Sequence, residues 1–190
     1  EDNHLLLVEK PPNVPVQADA SGDPDLLSLL RAYIKERDHK PGAVYLGLAH
    51  RLDRPVGGAM VFCKTSKSAA RVSQAIRENR LEKVYLAVAQ GQTPPHARLE
   101  DFLVKDGRTN MVRVCAPGTP GAKRAVLTYE TLACRPGLSL VRVHLETGRS
   151  HQIRVQLSHS GFPLWGDSRY GGGKPGQQIA LWSWQLTLPH

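Results

Sequence analysis

From Val84 onward the chain alternates. Val84, Leu86 and Val88 are interleaved with Tyr85, Ala87 and Ala89, and the same period of two returns at Ala125, Leu127 and Tyr129, at Val141, Val143 and Leu145, and in the closing Ile179–Leu181 segment. Successive side chains of an extended strand point to opposite faces, so this period commits the stretch to β-sheet. Gly- and Pro-rich turns such as Pro117-Gly118-Thr119-Pro120-Gly121 punctuate it at hairpin-length spacing.

The first part of the chain mixes periods. Leu5-Leu6-Leu7-Val8 reads as a buried strand ended by Lys10-Pro11-Pro12, with an extended loop from Lys10 to Gln17. Asp23-Pro24 predicts a helix start, Asp23 as N-cap and Pro24 as the first helical residue, and Leu26, Leu27, Leu30, Tyr33 and Ile34 keep helical spacing through Arg37. Val44–Ala49 and Ala59–Cys63 are strand-like runs, and Thr65 or Ser66 predicts the cap of a helix to about Asn79 with Ala69, Val72 and Ile76 facing inward. A short helix capped by Ser150 is predicted from Ser150 to Ser158. Many strands with few helices predict an α+β fold: a mixed, mostly antiparallel sheet with flanking helices. No repeat or long linker divides the chain, so one domain over residues 1–190 is expected.

Composition narrows the partners. With 41% hydrophobic and 22% charged residues the chain is globular, and its formal net charge of +8 favours a polyanion. There is neither a basic amphipathic stretch nor an apolar run long enough to span a bilayer, so no membrane partner is expected. Cys63, Cys115 and Cys134 form no C-x-x-C pair, which argues against a metal site or disulfide framework, and Cys63 reads as a small core residue. Reduced thiols and the lack of a secretory signal predict a cytoplasmic protein, while a first residue other than Met leaves room for an upstream module.

Two blocks could carry chemistry: His50-Arg51-Leu52-Asp53-Arg54 and Thr147-Gly148-Arg149-Ser150-His151-Gln152-Ile153-Arg154. An Asp between two Arg residues is, by itself, as readily a surface ion pair as a site. Taken together, the blocks resemble the catalytic-Asp motif and the G-R-[ST]-H-Q-I-R signature of the RluA-type pseudouridine synthases, which isomerise uridine within RNA. Lys83-Val84-Tyr85-Leu86-Ala87 resembles that family's K-x-Y-x-A strand, Lys10-Pro11-Pro12 its N-terminal loop, and Gly166-Asp167-Ser168-Arg169-Tyr170-Gly171 its G-D-x-x-Y-G turn, here expected to shape the fold rather than the chemistry.

The resemblance implies a pseudouridine synthase fold with a central RNA-binding cleft. The reaction breaks the N1–C1′ glycosidic bond, turns the uracil and rejoins it through C5, consuming no water, metal or redox equivalent. No cofactor is therefore implied. Asp53 is implied as nucleophile or base, Arg154 as the guanidinium that keeps it ionised, and Tyr85 as the ring that stacks on the uracil and relays the C5 proton. His50 and Arg51 would hold RNA around a flipped-out nucleotide, with Arg54, Arg149, His151 and Gln152 completing the RNA-binding set. The start of the Ser150–Ser158 helix would offer backbone N–H groups to a phosphate.

The chain departs from the family pattern at four places. Asn13 replaces a usual Gly, Val56-Gly57 a usual Thr-Ser, and Gln156 and Trp182 stand where His is frequent; Gly58 is retained. A non-catalytic RNA-binding or RNA-chaperone protein on the same fold is the alternative, with Val56-Gly57 as the disabling change. Hydrolytic glycoside cleavage would call for a second carboxylate, and none lies near Asp53 in the sequence. The expected partner is ribosomal or transfer RNA, the choice between them unreadable from a motif, and the default oligomeric state is monomer.

Overall fold

The first apolar run forms β1 (Leu5–Lys10), which pairs antiparallel with β3 (Gly57–Cys63) from Leu5↔Cys63 to Lys10↔Gly58; the short β2 (Gly47–Leu48) lies along the other edge of β3. Of the strand-like run Val44–Ala49, only these two residues join the ladder. These strands belong to a computed structural model that describes residues 1–189, in two compact units. The first is Glu1–Leu81 with the end of the chain from Leu186; the second is Glu82–Gln185.

In the first unit, β3 is almost wholly buried, and Leu5, Val61, Cys63, Val72 and Leu81 form its core with Ala69 and Ile76 against them. Helix α1 spans Leu26–Arg37 and its N-cap is Asp25, whose carboxylate accepts the Ser28 N–H at 3.0 Å. The helix therefore starts later than the Asp23-Pro24 signal suggests. Asp23 is instead taken by the Arg54 guanidinium, and the first helical N–H groups, of Leu26 and Leu27, are satisfied by the carbonyls of Pro15 and Val16. Helix α2 (Ser66–Arg77) starts as predicted: Thr65 and Ser68 form a reciprocal capping box, an arrangement whose cap alone stabilises a helix by about 1 kcal/mol.

The second unit is built on β4 (Glu82–Gln90), β5 (His96–Lys105), β6 (Val112–Cys115), β7 (Lys123–Arg135), β8 (Leu138–Leu145), helix α3 (Gln152–His159) and the first part of β9 (Leu181–Thr187). The spatial order is β9-β4-β8-β7-β5-β6, and the β4–β8, β8–β7, β7–β5 and β5–β6 pairs are antiparallel. Helix α3 packs on β5 and β6, with Val155 in a cluster of Leu103, Val112 and Ala125.

Sequence periodicity did not reveal β5 or β6. In β5 the exposed His96, Arg98 and Glu100 alternate with Ala97 and Leu99, but the alternation breaks at Asp101 and only Leu103 is buried. The fold class is α+β, as the alternation implies. Among the described residues, no helix is long and apolar enough to cross a membrane.

Candidate active site

In the first unit Asp53 sits on a turn between two buried anchors, Leu52 and Val56, closed by a 3.0 Å bond from the Val56 N–H to the Asp53 carbonyl. The next carbonyl, of Arg54, is gripped twice: by the Lys10 ammonium at 3.0 Å and by the Asn13 N–H at 2.8 Å. Arg54 returns the contact, its Nε donating to the Asn13 carbonyl at 3.1 Å. Asn13 holds φ at +66°, a left-handed conformation that Gly adopts freely and Asn tolerates better than other side chains. This explains how Asn can stand where the family usually has Gly. Gly58, at φ +115°, meets a demand that only glycine satisfies cheaply. Val56 puts its side chain into the core and Gly57 is buried in β3, so the backbone turn forms without the usual hydroxyls.

Lys10 is fully buried and donates to the Pro11 carbonyl as well, at 2.8 Å. Burial pushes its ammonium down to about 8, while the charge of Asp53 pulls it back up and that of Arg54 pushes it down. Because this value lies below the usual lysine value, the folded state binds fewer protons than the unfolded chain between about pH 8 and the unfolded value near 10.4. The burial penalty on the charged form is thus present in full below pH 8 and relieved as pH rises through that window. The stability of the wild type relative to Lys10→Met should therefore increase from pH 8 to 10 in parallel urea titrations. A pH-independent difference would show that Lys10 does not titrate there.

The other residues of the first motif divide by role. The His50 ring accepts the Val61 N–H through Nε2 at 3.1 Å, extending the β2–β3 contact beyond Leu48. Arg54 makes ion pairs with Asp23 and, at 3.7 Å, with Asp19. Its charge thus serves to hold the turn. Arg51 is exposed.

In the second unit Tyr85 lies on β4 opposite Val143 and is buried. Helix α3 begins at Gln152, with His151 as N-cap in the left-handed conformation (φ +53°) and no side-chain cap, rather than at Ser150. The buried Gln152 amide replaces that cap: its Oε1 accepts the Arg149 N–H at 3.0 Å and the Thr147 hydroxyl at 2.8 Å, and its Nε2 donates to the Val126 carbonyl at 3.0 Å. Gln152 therefore works as the brace of the loop that presents Arg149, whose Nε bonds the Arg124 carbonyl at 2.9 Å. A left-handed non-glycine residue costs about 1 kcal/mol or more. Here His151 is held there by a 2.7 Å hydrogen bond and an edge-on ring contact to Tyr170.

Arg154 is 4% exposed and makes a two-pronged bond to Asp167, Nε to Oδ2 and Nη2 to Oδ1, both at 2.8 Å. Its guanidinium also lies 5.1 Å over the Tyr170 ring, whose hydroxyl accepts the Val112 N–H. Burial raises the Asp167 carboxyl, but the Arg154 guanidinium and the N–H groups of Arg169 and Tyr170 outweigh it and hold it below the usual carboxylate range. The G-D-x-x-Y-G turn is therefore part of the arginine site as well as of the fold. Its geometry requires glycine, since a Cβ on Gly166 (φ +76°) would lie 2.2 Å from the Gln178 carbonyl oxygen. Gln156 is fully buried and donates to Asp101 at 2.7 Å and to the Ala125 carbonyl, and among the described residues its Oε1 has no hydrogen-bond partner.

Comparison with known proteins gives these residues a context. The family model described as RNA pseudouridylate synthase matches residues 4–159. The chain belongs to the RNA pseudouridylate synthases, and its motifs are of RluA type. Among curated relatives of the family, it is 35% identical over 175 residues to an uncharacterized RNA pseudouridine synthase of Bacillus subtilis, covering 91% of this chain and 57% of that protein. It is also 35% identical to ribosomal large subunit pseudouridine synthase D of Yersinia pestis, over 90% of this chain and 51% of that one. The chain thus spans little more than half the length of these curated relatives. In fold it matches human RNA pseudouridylate synthase domain containing 4 with a TM-score of 0.83 at 24% identity, covering 100% of this chain and 82% of that chain.

Proposed function

We propose that the chain isomerises uridine to pseudouridine within RNA, with Asp53, Tyr85 and Arg154 serving one flipped-out nucleotide and the two units acting as one catalytic domain. The observation that carries the reading is the Asp53 turn: in a member of this family, it is locked by Leu52, Val56, Lys10 and Asn13, so that the carboxylate is presented by a rigid backbone. Asp53 starts the reaction as nucleophile or base, and the N1–C1′ bond breaks. The freed uracil turns over the Tyr85 ring and C5 bonds to C1′; the C5 proton leaves and N1 gains one, so the product is an isomer of the substrate. Arg154 keeps the carboxylate ionised. Arg51, Arg149 and His151 contact the RNA, which is ribosomal or transfer RNA, in the cytoplasm, with the protein acting as a monomer.

The test is release of tritium from RNA labelled at uracil C5, because rejoining through C5 expels that label as water. Release on ribosomal or transfer RNA supports the reading. Tight, salt-sensitive binding without release would replace it with RNA binding alone, and free uracil among the products would replace it with hydrolysis.

A further inference from the structure

Lys83 stands on β4 two residues before Tyr85, so the two side chains share a face of the strand. The ammonium is partly buried, and among the described residues it has neither a hydrogen bond nor an ion pair. Its surroundings are the Gly148 backbone, where an added Cβ would come within 2.8 Å of Nζ, and the charge of Arg149. Desolvation lowers the proton affinity of Lys83 and the neighbouring guanidinium pushes it in the same direction. A cation withdrawn from water beside a second cation is unfavourable in the free protein. Such an arrangement becomes favourable when an anion completes it.

We propose that Lys83 and Arg149 form a subsite for one phosphate of the RNA backbone. This rests on the reading of the chain as an RNA-modifying enzyme and adds a residue to it. The ligand is an anion rather than a uracil carbonyl: a neutral acceptor would leave two adjacent positive charges uncompensated, whereas a phosphodiester offsets them. An ammonium is a compact point charge that suits a phosphate oxygen, and the guanidinium beside it offers a planar fork. Gly148 matters because it leaves the space that Nζ occupies.

The test is equilibrium binding in an Asp53→Asn background, so that no turnover intervenes, using a fluorescein-labelled single-stranded RNA rich in uridine. A matched strand with a neutral methylphosphonate backbone is measured in parallel. Adding Lys83→Met should weaken binding to the phosphodiester strand by about tenfold at low salt. The slope of log K against log salt should become shallower by about 0.7, as for loss of one single-strand phosphate contact. On the neutral strand the two proteins should bind alike, and Lys83→Arg should recover most of the affinity. Removal of an uncompensated ammonium should leave the thermal midpoint unchanged or raise it.

Unchanged affinity and slope, or an equal loss on both strands, would overturn the subsite. So would a lowered midpoint with intact affinity, which would make Lys83 a structural residue. Failure of the parent protein to bind the phosphodiester strand at all is a different result, and it would overturn the RNA reading itself.

Discussion

Asp53→Asn is expected to lower tritium release from C5-labelled RNA by at least about 10⁴-fold, because an amide can act neither as the nucleophile nor as the base that the first step needs. RNA affinity should stay within a few-fold of the wild type, and so should the unfolding midpoint. The turn around Asp53 is fixed through backbone groups: the Val56 N–H bonds the Asp53 carbonyl, and Lys10 and Asn13 hold the Arg54 carbonyl. These bonds all run to backbone carbonyls of the turn, and Asn has nearly the same shape as Asp. The substitution also removes the charge that favours the ammonium of Lys10, so that group should lose its proton at lower pH than in the wild type. Single-turnover assays with RNA in excess of its dissociation constant separate chemistry from binding. Release within tenfold of the wild type would rule out Asp53 as the group that starts the reaction.

Much of this arrangement was legible in the sequence where a local signal and a tertiary need coincide. Thr65 to Ser68 could be read as a helix start because the capping groups are neighbours in the chain. The alternation in β7 and β8 could be read because these strands bury one face, with Ala125, Leu127, Val141 and Val143 inside; in β4 the buried face is that of Tyr85, Ala87 and Ala89, the partners of Val143, Val141 and Ser139. The misplaced helix starts fail for a tertiary reason. Asp23 has the right residue type for a cap, but Arg54 is 31 positions away in the chain and takes its carboxylate. Ser150 likewise gives way to Gln152, whose amide satisfies the loop from inside the helix. For the site, the motifs pointed to Arg154 and Tyr85 but not to what supports them. The bonds from Lys10 to Arg54 and from Arg154 to Asp167 join residues distant in sequence, with no periodicity to announce them. Lys83 was visible only as a motif letter; its significance comes from its place against the Gly148 backbone and beside the charge of Arg149.

The second large effect is expected at Arg154, where stability and chemistry can be separated. Arg154→Met would leave the Asp167 carboxylate buried without its guanidinium. Breaking one side of a buried pair costs about 3–5 kcal/mol. In a chain of this size that corresponds to a midpoint lower by roughly 6–20 °C. The sign of the pH dependence follows from the direction of the Asp167 shift. In the wild type its carboxyl is held below the unfolded value, so the pair's contribution is complete above that value, near pH 3.9, and is lost as pH falls through the folded one. In Arg154→Met burial acts unopposed by the guanidinium and raises the same carboxyl, so acid neutralises it and relieves the strain. The stability gap between wild type and variant should therefore be widest near neutrality and close as pH drops below about 4.

Adding Asp167→Asn to Arg154→Met removes the buried charge while keeping an oxygen to accept the N–H groups of Arg169 and Tyr170. The double variant should regain most of the lost stability. Its tritium release then decides the role of Arg154. Turnover that stays lost in a refolded, stable double variant means that the guanidinium acts on the reaction, as the family resemblance implies. If turnover returns with stability, Arg154 serves the fold through Asp167, and some other cation must keep Asp53 ionised.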